Sequence, residues 1–331
     1  MTTQEENDRL TRVGPSTPMG NLMRRYWHPV GAMEELLEKP VQPVRILGED
    51  LTLFRSLKGE IGLIGRGCAH RGMNLAYGIP QESGLRCAYH GWTYDTTGQL
   101  VDTPFEPECL PYKIRAYPVQ ELGGLIWVYL GPEPVPLLPN LELLVRPELI
   151  RDIHFRPLRQ CNWLQCMDNS LDPIHFEHLH GHYQNYYNQR HGLPRAMNPA
   201  RHLKVAFDLY EYGIYKRRLV EGESEENPPD DWTTGHPIFF PNTLVQGAGD
   251  SFNYQIRVPV DDTTTMHVFY RGRPRRPEEA PQEVVPVRRS EVHYDEWGLV
   301  DEPGIVPQDE MVWIGQGAIT NRTRQHLATS D

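Results

Sequence analysis

The sequence predicts an α+β fold in two parts: a small all-β domain followed by a domain of antiparallel sheet and helices. Three features point there. After the segment MGNLMRRYW, and up to about Gly131, short β-rich runs alternate with Gly-bearing turns, as in a small β domain. GPEPVPLLPN at 131–140, with four prolines, then reads as a linker. Beyond it, helical patterning on either side of Pro173 gives way to paired alternating strands in DSFNYQIRVPVDDTTTMHVFYR.

Taken in order, MGNLMRRYW predicts a short helix. PVRILGEDLTLFRS, EIGLIGRG, GLRCAY, GWTYDTTGQLV and GGLIWVYLGP predict strands, with turns at Gly48-Glu49-Asp50 and Thr97-Gly98. CNWLQCMDNSLDPIHFEHLH predicts helix before and after Pro173, and EGESEENPPDD a surface loop. An Asp-Asp-Thr-Thr turn joins the later strands, PRRPEEAPQEVVP is loop-like, and QDEMVWIGQGAI has the spacing of a short helix. The 30 prolines suit short strands and ordered loops better than long helices.

Length and charge narrow the function. At 331 residues, two domains are expected. A net charge of −11 argues against nucleic acid and against an anionic membrane as partners. No apolar run reaches the roughly eighteen residues of a membrane span, and MTTQEENDRLTRV has no apolar signal core, so a cytoplasmic location is expected. Cys68, Cys87, Cys109, Cys161 and Cys166 are then thiols or metal ligands rather than a disulfide framework.

Two constellations carry chemistry. In the first, Cys68-x-His70 is followed after sixteen residues by Cys87-x-x-His90, with Gly72 and Gly91 close behind. Mixed Cys/His ligands at tight turns fit a structural zinc site or a [2Fe–2S] cluster with two cysteines on one iron and two histidines on the other. The spacing argues against a zinc finger and matches the Rieske pattern. Cys109, Cys161 and Cys166 lack such companions and read as buried apolar thiols. The second constellation is DNSLDPIHFEHLHGH at 168–182. Residues five apart lie about 140° apart around a regular α-helix, so ordinary pitch favours His178 with His182 as a metal pair. A π-type widening would instead bring His175 and His180 together.

The two constellations in this order resemble the oxygenase component of Rieske non-haem iron oxygenases, over nearly the whole chain. RVGPSTPMGNLMRRYWHPVG and HPIFFPN are similar to the branch that includes phthalate dioxygenase and 5,5'-dehydrodivanillate O-demethylase. The resemblance implies a Rieske [2Fe–2S] domain at 27–131 and a helix-grip, START-like catalytic domain with mononuclear iron at 132–331. Residues 1–26 would pack with the catalytic domain. It implies His175 and His180 as iron ligands, with a downstream carboxylate completing a 2-His-1-carboxylate triad. Asp309 is the choice; Asp301, Glu302 and Glu310 are the alternatives. Asp172 would bridge His175 to His90 of the partner subunit, and Asn169 would sit beside the iron. His178, His182 and Asp168 read as surface or hydrogen-bonding residues.

A terminal oxygenase follows, using O2 and electrons from NAD(P)H. No dinucleotide or flavin motif is present, so a separate reductase or ferredoxin is implied. One kind of subunit would form a homotrimer or a trimer-based oligomer. The expected reaction is O-demethylation of a methoxylated, lignin-derived aromatic acid, the alternative cis-dihydroxylation of a phthalate-like carboxylate. A Rieske electron carrier and a metal-stabilised binding protein are the readings without oxygenase activity. Aromatics at 183–187 and 239–254 are candidate pocket residues. Arg195, Arg201 and Arg217 are candidate carboxylate partners or simply solvated.

Overall fold

The computed structural model describes residues 2–196, 200–248 and 251–330. Two compact units emerge: Val13–Ile153 with Gly272–Arg288, and Met1–Arg12 with His154–Arg271 and Arg289–Asp331. The boundary expected near 131 thus falls inside the first unit. The expected 1–26 segment is divided, Met1–Arg12 grouping with the second unit.

The strands of the first unit begin, after a short helix at Pro18–Met23, with β1 (Trp27–Ala32), β2 (Val41–Ile46), β3 (Glu49–Arg55) and β4 (Ile61–Gly65). Next come β5 (Ile79–Gln81), β6 (Gly84–Arg86), β7 (Thr93–Tyr94) and β8 (Leu100–Asp102). Strands β9 (Ala116–Tyr117), β10 (Val119–Leu122) and β11 (Leu125–Tyr129) follow. They form three sheets in the orders β1-β11-β10, β2-β3-β4-β9 and β5-β6-β7-β8. The β2–β3 hairpin turns on Leu47 and Gly48, with φ of 48° and 77°, and pairs Ile46 with Glu49. The turn therefore lies one residue earlier than Gly48-Glu49-Asp50 suggests. A two-residue turn with both φ values positive matches strand twist, which releases Glu49 and Asp50 to the ladder. Phe54, Ile64, Leu75, Leu85, Tyr94 and Leu100 bury Cys68 and Cys87 in one cluster.

The proline-rich 131–140 stretch is held within this unit rather than running free. Its prolines leave carbonyls without internal partners, and these accept from Tyr129 Oη (Pro132 O, 2.9 Å) and Trp27 Nε1 (Pro136 O, 3.0 Å).

The strands of the second unit lie in an eight-stranded sheet of β12 (Leu149–Arg159), β13 (His202–Tyr210), β14 (Gly213–Val220), β15 (His236–Phe239), β16 (Thr243–Ala248), β17 (Ser251–Asp261), β18 (Thr264–Pro274) and β19 (Val287–Arg289). Their order is β13-β14-β15-β16-β17-β18-β12-β19, antiparallel from β13 through β17. Asp261 Oδ1 accepts from Thr263 N at 3.0 Å in the turn between β17 and β18. Its helices include Trp163–Leu171, a π-helix at Phe176–Tyr183, Gln184–Arg190 and Ile305–Gly315. Asn162 caps the first, accepting from Leu164 N at 3.1 Å. Asp172 ends it in an extended conformation (φ −75°, ψ 117°), as the residue before a proline prefers.

A helix not expected from sequence spans Gln4–Thr11. Its signal was present: Thr3 and Glu6 form a reciprocal capping box. It docks within the second unit through Asn7 Nδ2 to Thr320 O (3.2 Å) and Arg322 Nη1 to Asn7 Oδ1 (3.3 Å). Among the described residues no helix is long and apolar enough to cross a membrane. The whole is the α+β architecture expected, a β-rich unit and a sheet with helices.

Candidate metal centres

In the first unit, two loops of the same backbone design present the Cys/His ligands. Cys68 N donates to Met73 O (2.9 Å) and Gly72 N to Cys68 O (2.8 Å). In the other loop Cys87 N donates to Trp92 O (2.8 Å) and Gly91 N to Cys87 O (3.0 Å). Both turns close on a glycine at left-handed φ, 72° at Gly72 and 78° at Gly91, where other residues are strained. The thiols are buried, whereas His70 is exposed and His90 half-buried. The two imidazole rings lie 4.5 Å apart, and His70 stacks on Trp92 at 4.8 Å. Tyr94 Oη accepts from Ala69 N at 2.9 Å and lies 3.2 Å from Cys68 Sγ. Burial, with Cys68 alongside, pushes the Cys87 thiol up. Two thiolates there need cationic compensation, which is what iron supplies. The donor set, two thiols together and two imidazoles together, fits a [2Fe–2S] cluster.

In the second unit, the π-helix resolves the spacing problem. Its i→i+5 bonding brings residues five apart onto one side. His175 and His180 have ring centroids 5.2 Å apart, near-perpendicular at 77°. The helix Ile305–Gly315 brings Asp309, whose Oδ1 lies 3.5 Å from His175 Nε2 and 3.1 Å from His180 Nε2. The ligand atoms of His175, His180 and Asp309 all lie within 4.8 Å of one another. Asp309 Oδ1 and His175 Nδ1 are buried without a hydrogen bond of acceptable geometry among the described residues. A buried carboxylate oxygen left that way is costly, and a cation between it and the imidazoles would satisfy it.

An amide relay behind His180 determines its tautomer. Asn188 Nδ2 donates to Pro194 O (2.7 Å), a carbonyl that can only accept. Asn188 Oδ1 therefore accepts from Gln184 Nε2 (2.7 Å), and Gln184 Oε1 from Gln308 Nε2 (2.6 Å). Gln308 is left presenting Oε1 to His180 Nδ1 at 3.0 Å. His180 thus carries its proton on Nδ1 and offers the Nε2 lone pair toward Asp309.

The other residues singled out in the sequence divide as follows. Asp172 Oδ2 lies 3.5 Å from His175 Nδ1, while its Oδ1 accepts from Ile174 N at 2.7 Å. Asn169 is buried on the helix Trp163–Leu171. Asp168 pairs with Arg322. The alternative carboxylates are engaged elsewhere: Glu310 with Arg156 (2.6 Å) and His267 (3.1 Å), Glu302 with Arg156 (2.6 Å), and Asp301 with His191 (3.6 Å). His178 and His182 are exposed, their rings stacked at 5.7 Å, beside the half-buried Glu177. Cys161 and Cys166 are buried with sulfurs 3.5 Å apart, but Cys109 is exposed, contrary to expectation. It lies in a loop and reaches the carbonyls of Leu100, at 3.4 Å, and Leu110, at 3.8 Å.

Tyr187 is buried and stacks on His191 at 4.2 Å, whereas Tyr186 is exposed. Phe239 and Tyr254 join Tyr210 and Tyr215 in an aromatic group. Arg217 is occupied by Asp208 (2.5 Å) and the carbonyl of Trp232 (2.8 Å), and Arg195 and Arg201 are exposed. Sequence reasoning missed Gln308, Gln184 and Asn188. Side-chain amides have no diagnostic spacing, although Gln308 next to the chosen Asp309 was a local hint.

The model of the Rieske [2Fe-2S] domain matches residues 26–118. The chain is 43% identical over 340 residues to the 5,5'-dehydrodivanillate O-demethylase oxygenase subunit of Sphingobium sp. (strain NBRC 103272 / SYK-6), covering 100% of this chain and 77% of that protein. It is 30% identical over 374 residues to the phthalate 4,5-dioxygenase oxygenase subunit of Pseudomonas putida, covering 100% and 83%. The terminal oxygenase of carbazole 1,9a-dioxygenase from Nocardioides aromaticivorans IC177 shares the fold, with a TM-score of 0.59 at 24% identity over 77% of this chain and 76% of that one. Ligand chemistry, fold and full-length identity agree: the chain belongs to the Rieske non-haem iron oxygenases, as an oxygenase component with a [2Fe–2S] cluster and a mononuclear iron.

Proposed function

We propose that the chain O-demethylates a methoxylated aromatic acid of the lignin type. The observation that carries this reading is the 43% identity, over the full chain, to an O-demethylase oxygenase subunit. In balance, the methoxyarene, O2, two electrons and two protons give the phenol, formaldehyde and water. Hydroxylation of the methyl carbon yields a hemiacetal, which expels formaldehyde.

Cys68, Cys87, His70 and His90 would hold the cluster, and His175, His180 and Asp309 the iron. When bound, these groups supply one-electron storage and O2 reduction, which no side chain can provide. The protein's own residues do the rest. Gln308 holds the His180 ring with Nε2 free. Asp172 is a positioning residue for His175, and its half-exposed carboxylate is available to His90 of the partner subunit, a role that calls for a homotrimer or trimer-based oligomer. The division of labour is electron relay in the first unit, which carries Cys68, His70, Cys87 and His90, and oxygenation in the second, which carries His175, His180 and Asp309. Asn169 is proposed beside the iron. Electrons from NAD(P)H arrive through a separate reductase or ferredoxin, in the cytoplasm.

Reconstitution with a surrogate reductase tests the reaction. Methoxybenzoates, biaryl acids and phthalates are supplied, and formaldehyde is scored against diol. Formaldehyde in step with substrate loss is expected; diol alone overturns demethylation in favour of phthalate-like dihydroxylation. That second reading draws on the 30% identity to phthalate 4,5-dioxygenase.

A further inference from the structure

We propose, building on the aromatic-acid reading above, that Lys216 is the anion receptor of the substrate site, its ammonium holding the substrate carboxylate beside His175, His180 and Asp309. Lys216 lies in β14 and is 8% exposed. Side chains alternate across a strand, so Lys216 shares a face with Arg218 and opposes Arg217. Arg217, on the other face, is taken up by Asp208. The Arg218 guanidinium lies 4.3 Å from the centre of the Phe176 ring, and Phe176 meets His180 edge-on at 5.5 Å. The face that carries Lys216 is therefore the face that the π-helix covers.

Its electrostatic surroundings agree. Asp309 and Asp172 attract Lys216, while Arg218 and Arg257 repel it, and Lys216 acts in turn on His180. Among the described residues no hydrogen bond or ion pair holds its ammonium. Burial pushes this lysine down to about 8, and an anion bound beside it would favour the cation. A buried cation without a close partner is expensive. Once iron takes the charge of Asp309, the attraction on Lys216 weakens further. An anionic substrate supplies the missing charge and is bound where oxidation occurs. None of Arg195, Arg201 and Arg217 is placed to do this, two being exposed and one paired.

The test is calorimetric titration of the anaerobic holoenzyme with 3,4-dimethoxybenzoate and with its methyl ester. The acid is expected to bind at least about ten-fold more tightly than the ester, since a charge-assisted contact is at stake. Lys216→Met is expected to weaken acid binding by about ten- to a hundred-fold. Ester binding and iron content should stay unchanged. Lys216→Arg should keep the preference for the acid, and it serves as the test if Lys216→Met does not fold. A wild-type protein without that preference overturns the proposal, as does a Lys216→Met protein that retains it. Equal weakening of acid and ester with loss of iron would make Lys216 a structural counter-ion and also overturns it. Failure to release formaldehyde with the acid preference intact sinks the demethylation reading alone.

Discussion

The two candidate metal centres are held by different means. Around Cys68 and Cys87 the backbone does the holding: two short turns with matching hydrogen bonds, each closed by a left-handed glycine. Around His175 and His180 side chains do it. A carboxylate from a distant helix meets the two imidazoles, and a relay of three amides orients one of them. A centre shaped by turns is written into a few consecutive residues and is sensitive to the backbone freedom of its glycines. A centre shaped by side chains depends on elements far apart in sequence and is sensitive to amide and carboxylate substitutions that leave the backbone intact.

The sharpest way to break the comparison is to empty one centre and watch the other. His180→Ala is expected to abolish turnover and remove the mononuclear iron while the visible absorbance of the iron–sulfur cluster persists. Cys87→Ala should do the reverse, measured by the same spectrum and by iron analysis. Simultaneous loss of both metals in either variant would mean the centres are not separately held. Next comes Gln308→Leu, which removes the partner of His180 Nδ1 and keeps the bulk. Iron affinity is expected to fall about 10- to 100-fold, with the cluster spectrum unchanged. Metal competition assays read the difference.

The glycines test the backbone side. Gly91→Ala puts a side chain at φ 78°, with its Cβ 3.0 Å from Pro104 Cγ. A cost of about 1–2 kcal/mol is expected from the left-handed conformation alone, seen as earlier loss of cluster absorbance on heating. Gly72→Ala, at φ 72° with nothing within 4 Å of its Cβ, should lose less. The smallest effect concerns Asp231. A hydrogen bond from His236, together with Arg218, holds the Asp231 carboxyl well below its ordinary 3.8. A depressed carboxylate adds stability above its unfolded value and loses it as pH falls through the folded one. Asp231→Asn should therefore melt lower at about pH 7, by under about 1 kcal/mol for so exposed a pair, with the gap closing below roughly pH 4.

The contrast in construction explains what sequence could reveal. Cys68, His70, Cys87 and His90 lie in two short turns, so ligand type and spacing are visible without any knowledge of tertiary structure. His175 and His180 are spaced against the pitch of an ordinary helix, and nothing local announces the wider winding; resemblance to a family was needed to choose them over His178 and His182. Lys216 was invisible because its neighbourhood depends on which face of β14 the π-helix covers. The early helix at Gln4–Thr11 was legible in Thr3 and Glu6 but was masked by the polarity around it. The β2–β3 turn was misplaced by one residue because Leu47, an unusual occupant of positive φ, gave no warning.

The π-helix has one more consequence. Phe176–Tyr183 and its preceding residue carry two pairs of imidazoles, and the width of the coil decides which pair looks inward. A substitution in this segment perturbs a contact, but a one-residue insertion between His175 and His180 changes the phase of everything after it, sending the two candidate ligands apart. Loops at the rim can lengthen or shrink as substrates change. The count of residues in this coil is the dimension that such drift has to leave alone.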